Sequence, residues 1–222
     1  MNKLLSFFCY IFLKPIVKFI WIKEVRGIDN IPKKSNFILA SNHQSHLDQI
    51  TNAYLCVPRP FTYLGQVDKY EGIEKFLRNF FYFFGGVIPI NRYDEESKKR
   101  AMIECQERLK KGEILIIYPE GTRTKDGKIG DFKKGVAKLH LKSGVPILPV
   151  AIKGNFELMP VGRRFPFLKR IVRINVGNLL DFKEEKEMVK NIKEDSPEYK
   201  QLLERITKKL REEIINLYNQ IK

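Results

Sequence analysis

The heptad Asn42-His43-Gln44-Ser45-His46-Leu47-Asp48 sets a titratable imidazole five residues before a carboxylate. The apolar segment Phe37-Ile38-Leu39-Ala40 runs into it and a second periodic segment, Ile50–Leu55, leaves it, which reads as strand, polar turn and helix. On one ideal helix five residues turn roughly 500°, so the two side chains would stand about 140° apart. With His43 in the turn and Asp48 in the first helical turn, the carboxylate can fold back onto one ring nitrogen. The other nitrogen is then a base in a fixed tautomer, suited to taking a proton from a weak nucleophile. A structural reading competes, because Ser45-x-x-Asp48 also matches a capping box that does no more than start a helix. His46 is read as a surface or supporting residue.

Two further polar clusters follow short apolar runs. Gly85-Gly86-Val87-Ile88-Pro89-Ile90-Asn91-Arg92 reads as a turn and a strand with an arginine at its end. Ile114–Tyr118 is a pure apolar run of buried-strand type that opens into Pro119-Glu120-Gly121-Thr122-Arg123. In open α/β sheets ligands gather beyond the carboxyl ends of strands. Taken together, the clusters supply a base, two guanidiniums suited to bidentate phosphate binding, and a turn with exposed N–H groups. Such a set fits deprotonation of a hydroxyl on a phosphorylated, lipidic acceptor. Each part also has an innocent role: Arg92 as a solvated charge, Glu120 as its partner, Gly121 as a turn residue.

Strands alternate with helices along the chain. After Val25–Pro32 (strand and turn) come a strand at Phe61–Val67 and an apolar helical stripe over 73–84. A helix spans Ser97–Lys111 with Gly112 as its cap, and a short one Val136–Lys142. Strands follow at Val145–Ile152 and Ile171–Val176, and Tyr199–Ile221 repeats apolar residues as a long amphipathic helix. The expected class is α/β, a largely parallel mixed sheet covered by helices. At 222 residues the chain suits one domain, over 25–222, preceded by a helical segment over 1–24. Leu4–Leu13 is apolar but as a helix spans only about 15 Å, half of a roughly 30 Å hydrocarbon core. On a wheel Lys3, Lys14 and Lys18 fall within about 60° of each other. That predicts an amphipathic helix lying in a membrane interface with its lysines toward water.

Lys+Arg number 41 against 26 Asp+Glu, a net charge of +15. Such a balance favours anionic partners, and with no nucleic-acid motif in view a lipid surface or phosphate is preferred. Cys9, Cys56 and Cys105 form no CxxC, and with only three histidines neither a disulfide framework nor a metal site is implied. A reducing, cytoplasmic setting follows.

Four blocks stand in order: Asn-His-x-x-x-x-Asp at 42–48, Gly-x-Ile-x-Ile-x-Arg at 86–92, Tyr-Pro-Glu-Gly-Thr-Arg at 118–123 and Val-Pro-Ile-Leu-Pro-Val at 145–150. Over residues 25–155 the chain resembles the glycerolipid acyltransferases, most of all the 1-acyl-sn-glycerol-3-phosphate acyltransferases. The resemblance implies a glycerol-phosphate acyltransferase-like fold. It implies His43 as the base and Asp48 as its orienting partner, with Arg123, Arg92 and Lys69 holding the acceptor phosphate. Asn42, Glu120, Gly121 and Thr122 would shape the site. Lys69 follows Gly65-Gln66-Val67-Asp68, which departs from the usual surroundings, and Pro89 stands where relatives often carry Phe. The implied reaction moves a fatty acyl group from acyl-CoA or an acyl carrier protein to a lysophospholipid at the cytoplasmic face of the membrane. No bound cofactor is needed, since a thioester is already activated. Oxyanion donors are expected among backbone N–H groups near the heptad. Competing readings are another acceptor, such as glycerol-3-phosphate, and a non-catalytic basic lipid-binding module. The Gly-x-Ser-x-Gly elbow of a hydrolase is missing.

Overall fold

The computed structural model describes residues 3–67, 85–194 and 196–222. Lys69 and the apolar stripe over 73–84 lie outside the described residues.

In chain order the elements are α1 (Lys3–Phe8), a π-helical turn (Cys9–Leu13), α2 (Lys14–Ile20), β1 (Ile22–Arg26), β2 (Ile38–Ser41), α3 (Leu47–Cys56), β3 (Phe61–Gln66) and β4 (Val87–Ile90). Then come α4 (Glu95–Lys110), β5 (Ile114–Ile117), α5 (Gly135–Ser143), β6 (Ile147–Lys153), α6 (Asn155–Leu158), β7 (Val172–Val176), α7 (Lys183–Val189) and α8 (Pro197–Asn219). The strands form one sheet in the order β1-β7-β6-β2-β5-β3-β4. Among the strand pairs of the described residues, only β6–β7 is antiparallel. Five strands therefore end on the edge of the sheet where β1 and β7 begin.

The central strands β2, β5 and β6 are apolar apart from the terminal Ser41 and Lys153 because both faces are covered. Ile38 and Ala40 of β2 and Leu115 and Ile117 of β5 pack on one face with Ala101, Cys105 and Leu109 of α4, Val136 and Leu139 of α5, and Ile206, Leu210 and Ile214 of α8. Phe37, Leu39, Ile114 and Ile116 pack on the other with Val17 of α2 and Leu47, Tyr54 and Leu55 of α3. Period-2 alternation thus feeds two cores, and the turns between strands and helices collect at the sheet edges. Asp94 caps α4, accepting from the Glu96 N–H at 3.0 Å, so the helix starts at Glu95, two residues before the start expected from the apolar pattern. Ser196 caps α8 through the Tyr199 N–H at 3.1 Å, with Pro197 in the first turn.

The N-terminal helix does not present the lysine stripe expected of it. Its fourteenth residue donates to Cys9 O, an i→i+5 bond that rephases the faces beyond the π turn. Lys14 turns toward the protein, its Nζ 3.4 Å from Val57 O and 4.8 Å from the ring centroid of Tyr54. Ser6 is buried and donates to Arg59 O. The outward face is apolar: Leu4, Phe7, Phe8, Ile11, Phe12, Ile16 and Phe19 are all exposed. No helix among the described residues is long and apolar enough to cross a membrane.

His140, in the last turn of α5, is buried, with Nδ1 2.8 Å from Val145 O and no partner for Nε2 among the described residues. Nδ1 donates to that carbonyl, and burial, which disfavours the charged ring, holds its pKa below the ordinary 6.5. A depressed histidine leaves the unfolded chain binding more protons just below pH 6.5, so the stability held by neutral His140 is lost as pH falls through that window. Urea midpoints should decline on acidification below pH 6.5, with a shallower decline in His140→Leu.

Candidate active site

The turn after β2 is fixed by three side chains. Asn42 pairs with the backbone of Ile152 on β6, accepting its N–H at 2.8 Å and donating to its carbonyl at 2.9 Å. Glu120, reaching across from the end of β5, accepts the His43 N–H at 2.7 Å and the Gly130 N–H at 2.9 Å. Burial pushes the Glu120 carboxyl up, and those two N–H groups oppose the shift. Glu120 therefore clamps two loops and does not pair with Arg92. The third side chain is Asp48.

Asp48 is fully buried in the first turn of α3. Its Oδ2 accepts from His43 Nδ1 at 2.9 Å, the Gln44 N–H at 2.6 Å and the Ser45 N–H at 2.7 Å. Its Oδ1 accepts from Asn155 Nδ2 at 2.7 Å. One carboxylate thus both holds the His43 ring and bonds back to the Ser45 N–H. Because that oxygen only accepts, the proton of a neutral His43 sits on Nδ1 and Nε2 keeps its lone pair toward the cleft that His43 lines. Tyr118 stacks on the imidazole with centroids 4.0 Å apart and planes 12° apart. Its hydroxyl accepts from Asn52 at 3.3 Å, and burial, then Asp48, keeps the phenol protonated well above its usual range.

The expectation of oxyanion donors near the heptad is narrowed here. The N–H groups of His43, Gln44, Ser45, Leu47 and Asp48 are all spent inside the turn, on Glu120, Asp48, Ser45 Oγ and Ser45 O. Backbone donors of those residues are not free to stabilise an oxyanion.

The cleft beside His43 has a volume of about 530 Å³. Leu64, Ile90, Met102, Ile116 and Val136 make its apolar wall, and Arg92, Lys98, Arg123, Lys133 and Lys138 bring cations to it. Arg92 and Arg123 make no ion pair with a carboxylate among the described residues. Gly121 has φ +70°, and a Cβ there would meet the Lys133 side chain at 3.1 Å, so the turn needs glycine. Thr122 lines the cleft. The fold thus brings together His43, Asp48, Arg92, Asn42, Glu120, Gly121, Thr122 and Arg123.

A family model described as Acyltransferase matches residues 23–153. The chain belongs to the acyltransferase family. It is 34% identical over 146 residues to a chloroplastic 1-acyl-sn-glycerol-3-phosphate acyltransferase of Brassica napus, covering 63% of this chain and 39% of that protein. The 1-acyl-sn-glycerol-3-phosphate acyltransferase of Borreliella burgdorferi is 32% identical over 148 residues, covering 64% and 58%. Among solved structures, the 1-acyl-sn-glycerophosphate (LPA) acyltransferase PlsC of Thermotoga maritima superposes with a TM-score of 0.63 at 30% identity, over 92% of this chain and 77% of that one. The chain spans about two fifths of the Brassica napus protein and less than two thirds of the Borreliella burgdorferi one. In family terms the α/β core and its mostly parallel sheet are as expected.

Asn155 was not legible as a site residue. It lies 107 positions from Asp48, and it also donates to Thr51 Oγ1 at 2.9 Å. Only the position of the fourth block, which ends in β6 just before it, pointed to this neighbourhood. Hydrogen bonds to charged groups are worth about 1.5–3 kcal/mol. Asn155→Ala should lose that order of stability, read as a lower urea midpoint, together with a fall in any turnover that depends on Asp48.

Proposed function

We propose that the chain transfers a fatty acyl group from an acyl thioester to the sn-2 hydroxyl of 1-acyl-sn-glycerol-3-phosphate, giving phosphatidic acid. The observation that carries this reading is the His43 ring, held through Nδ1 by a buried Asp48, on the wall of a cleft that is both apolar and cationic. His43 Nε2 takes the proton of the acceptor hydroxyl as its oxygen attacks the thioester carbonyl. The tetrahedral intermediate then collapses with loss of the thiolate, which receives the proton from the imidazolium. Products are the ester and the free thiol, with His43 neutral again. Asp48 keeps the tautomer and favours the transient imidazolium.

Arg123 and Arg92 hold the acceptor phosphate in this reading, Lys69 is proposed beside them, and the apolar wall accommodates acyl chain. The donor is acyl-CoA or an acyl carrier protein. Residues 1–24 rest on the cytoplasmic face of the membrane, their exposed Phe and Leu side chains in the lipid, with residues 25–222 as the catalytic domain.

Labelled acyl-CoA and acyl–acyl carrier protein, offered with lysophosphatidic acid, lysophosphatidylcholine or glycerol-3-phosphate, test the proposal. Phosphatidic acid from the first acceptor supports it, and transfer only to another acceptor, or to none, overturns it. Arg123→Ala should lower kcat/KM for lysophosphatidic acid by about 10–100-fold, mainly through KM, as expected when one charge-assisted contact worth about 1.5–3 kcal/mol is lost.

A further inference from the structure

Between α6 and β7, residues 159–171 carry Arg163, Arg164, Lys169 and Arg170 and no acidic residue. Interleaved with these cations, Phe165 and Leu168 are 70% and 75% exposed, and Val161 and Phe167 also face outward. An exposed cluster of this kind is costly in water unless something covers it. The cations stack on the rings beside them: the Arg163 guanidinium lies 3.5 Å from the Phe167 centroid and that of Arg164 5.6 Å from Phe165. That pattern, apolar tips among long basic side chains, suits the boundary between headgroups and acyl chains.

The placement of the loop supports a lipid occupant. Trp21 Nε1 donates to Phe167 O at 3.0 Å, Arg170 Nε donates to Ile22 O at 2.9 Å, and the Val172 N–H donates to Trp21 O at 2.9 Å. The loop is thereby tied to the end of α2, beside Phe19, which is 80% exposed. It is also tied to the catalytic turn, since Ser45 Oγ donates to Met159 O at 2.7 Å. The sheet explains the adjacency: β1 and β7 begin on the edge where β2 and β5 end.

We propose that residues 159–171 form a second membrane contact that reads anionic headgroups and seats the catalytic turn against the lipid surface. The proposal rests on the lipid-acyltransferase reading above and adds a charge-selective surface to it. Anionic headgroups meet the four cations while Phe165 and Leu168 enter the acyl region, continuing the apolar face of the N-terminal helix.

The test is partitioning of the full chain onto vesicles of phosphatidylcholine alone or mixed equally with phosphatidylglycerol. Trp21, the only tryptophan, reports binding by its fluorescence and by quenching with brominated lipid. Each basic residue at an anionic surface contributes roughly fivefold, equivalent to about 1 kcal/mol. Arg164→Gln/Lys169→Gln should therefore weaken binding to mixed vesicles by about 25-fold, leave binding to phosphatidylcholine unchanged, and reduce the salt dependence. Phe165→Ser/Leu168→Ser should weaken binding to both vesicles. Both variants should keep wild-type transfer in detergent micelles, which controls for folding. Wild-type partitioning by both variants overturns the proposal. So does unchanged partitioning with a selective loss of activity toward acyl carrier protein donors, which would assign the surface to an acidic protein. Failure of the wild type to acylate any lysolipid in detergent would instead overturn the catalytic reading, and the vesicle comparison would still decide the role of the loop.

Discussion

Alanine in place of His43 is expected to lower acyl transfer by about 10²–10⁴-fold, the usual worth of a positioned general base. An alcohol is a weak nucleophile at neutral pH, and the other side chains that line the cleft are cationic, amide, hydroxyl or apolar apart from His46; the Asp48 contact that fixes the tautomer of the base belongs to His43. The fold should tolerate the change. Asp48 keeps three of its four donors, from Gln44, Ser45 and Asn155, and Glu120 binds the backbone of residue 43, which alanine retains. Binding of lysophosphatidic acid, which depends on the cleft cations, should stay near the wild-type value while single-turnover transfer collapses. Equal rates in the two proteins would remove His43 from the mechanism.

The parts of this arrangement that sequence made legible are those carried by local pattern. Ile38–Ala40 and Ile114–Ile117 are apolar at every position because both faces of the sheet are covered, and a pure run of that kind signals burial. The clusters at 42–48, 92 and 119–123 follow such runs, so the rule that ligands gather at strand ends brought them together before any coordinates did. What escaped depends on distance or on a break in periodicity. The donor to Asp48 Oδ1 comes from Asn155, a residue type that as often serves a turn or cap, and nothing near the heptad points to it. The wheel over residues 3–18 assumes a constant 100° per residue, and the π turn at Cys9–Leu13 breaks that assumption. Lys14 then meets Tyr54 and Val57 on the protein side, and the aromatic residues are left outside. The occupied N–H groups of the heptad escaped for a related reason: counting N–H groups in a turn does not reveal that side chains such as Glu120 and Asp48 already hold them.

That inversion changes how the N-terminal helix can serve the site. A helix with lysines outward would float on headgroups. This one has Ser6 and Lys14 turned inward and large apolar side chains on the outer face, and α2 leads directly into β1 at the sheet edge that holds His43. In the proposed reading, a lipid held by such a surface lies near the sheet edge that carries His43, so a lysolipid need not leave the interface to reach it.

Asp48→Asn is expected to be as damaging as loss of the base itself, about 10²–10⁴-fold in turnover, for a different reason. The carboxylate accepts four hydrogen bonds, three on Oδ2 and one on Oδ1. A carboxamide offers one accepting oxygen and one donating nitrogen, so whichever way it turns, at least one donor faces another donor. If the oxygen keeps the Gln44 and Ser45 N–H groups, the amide nitrogen confronts Asn155, whose own oxygen could then rotate to accept. If the nitrogen takes the Oδ2 position, His43 must present an accepting Nδ1, and its proton moves to Nε2, the atom required as base. That tautomer can donate to the acceptor hydroxyl but cannot remove its proton. Even in the first arrangement the negative charge that favours the imidazolium is gone. An unsatisfied buried donor costs about 1–3 kcal/mol, so the variant should also unfold at lower urea, unlike His43→Ala. Asp48→Glu keeps the charge but, in a fully buried space, must displace the backbone N–H groups of residues 44 and 45. Its activity should fall between those of wild type and Asp48→Asn. A comparison of single-turnover rates and urea midpoints across the three proteins separates loss of charge from loss of packing, and wild-type turnover in Asp48→Asn would show that Asp48 only starts the helix.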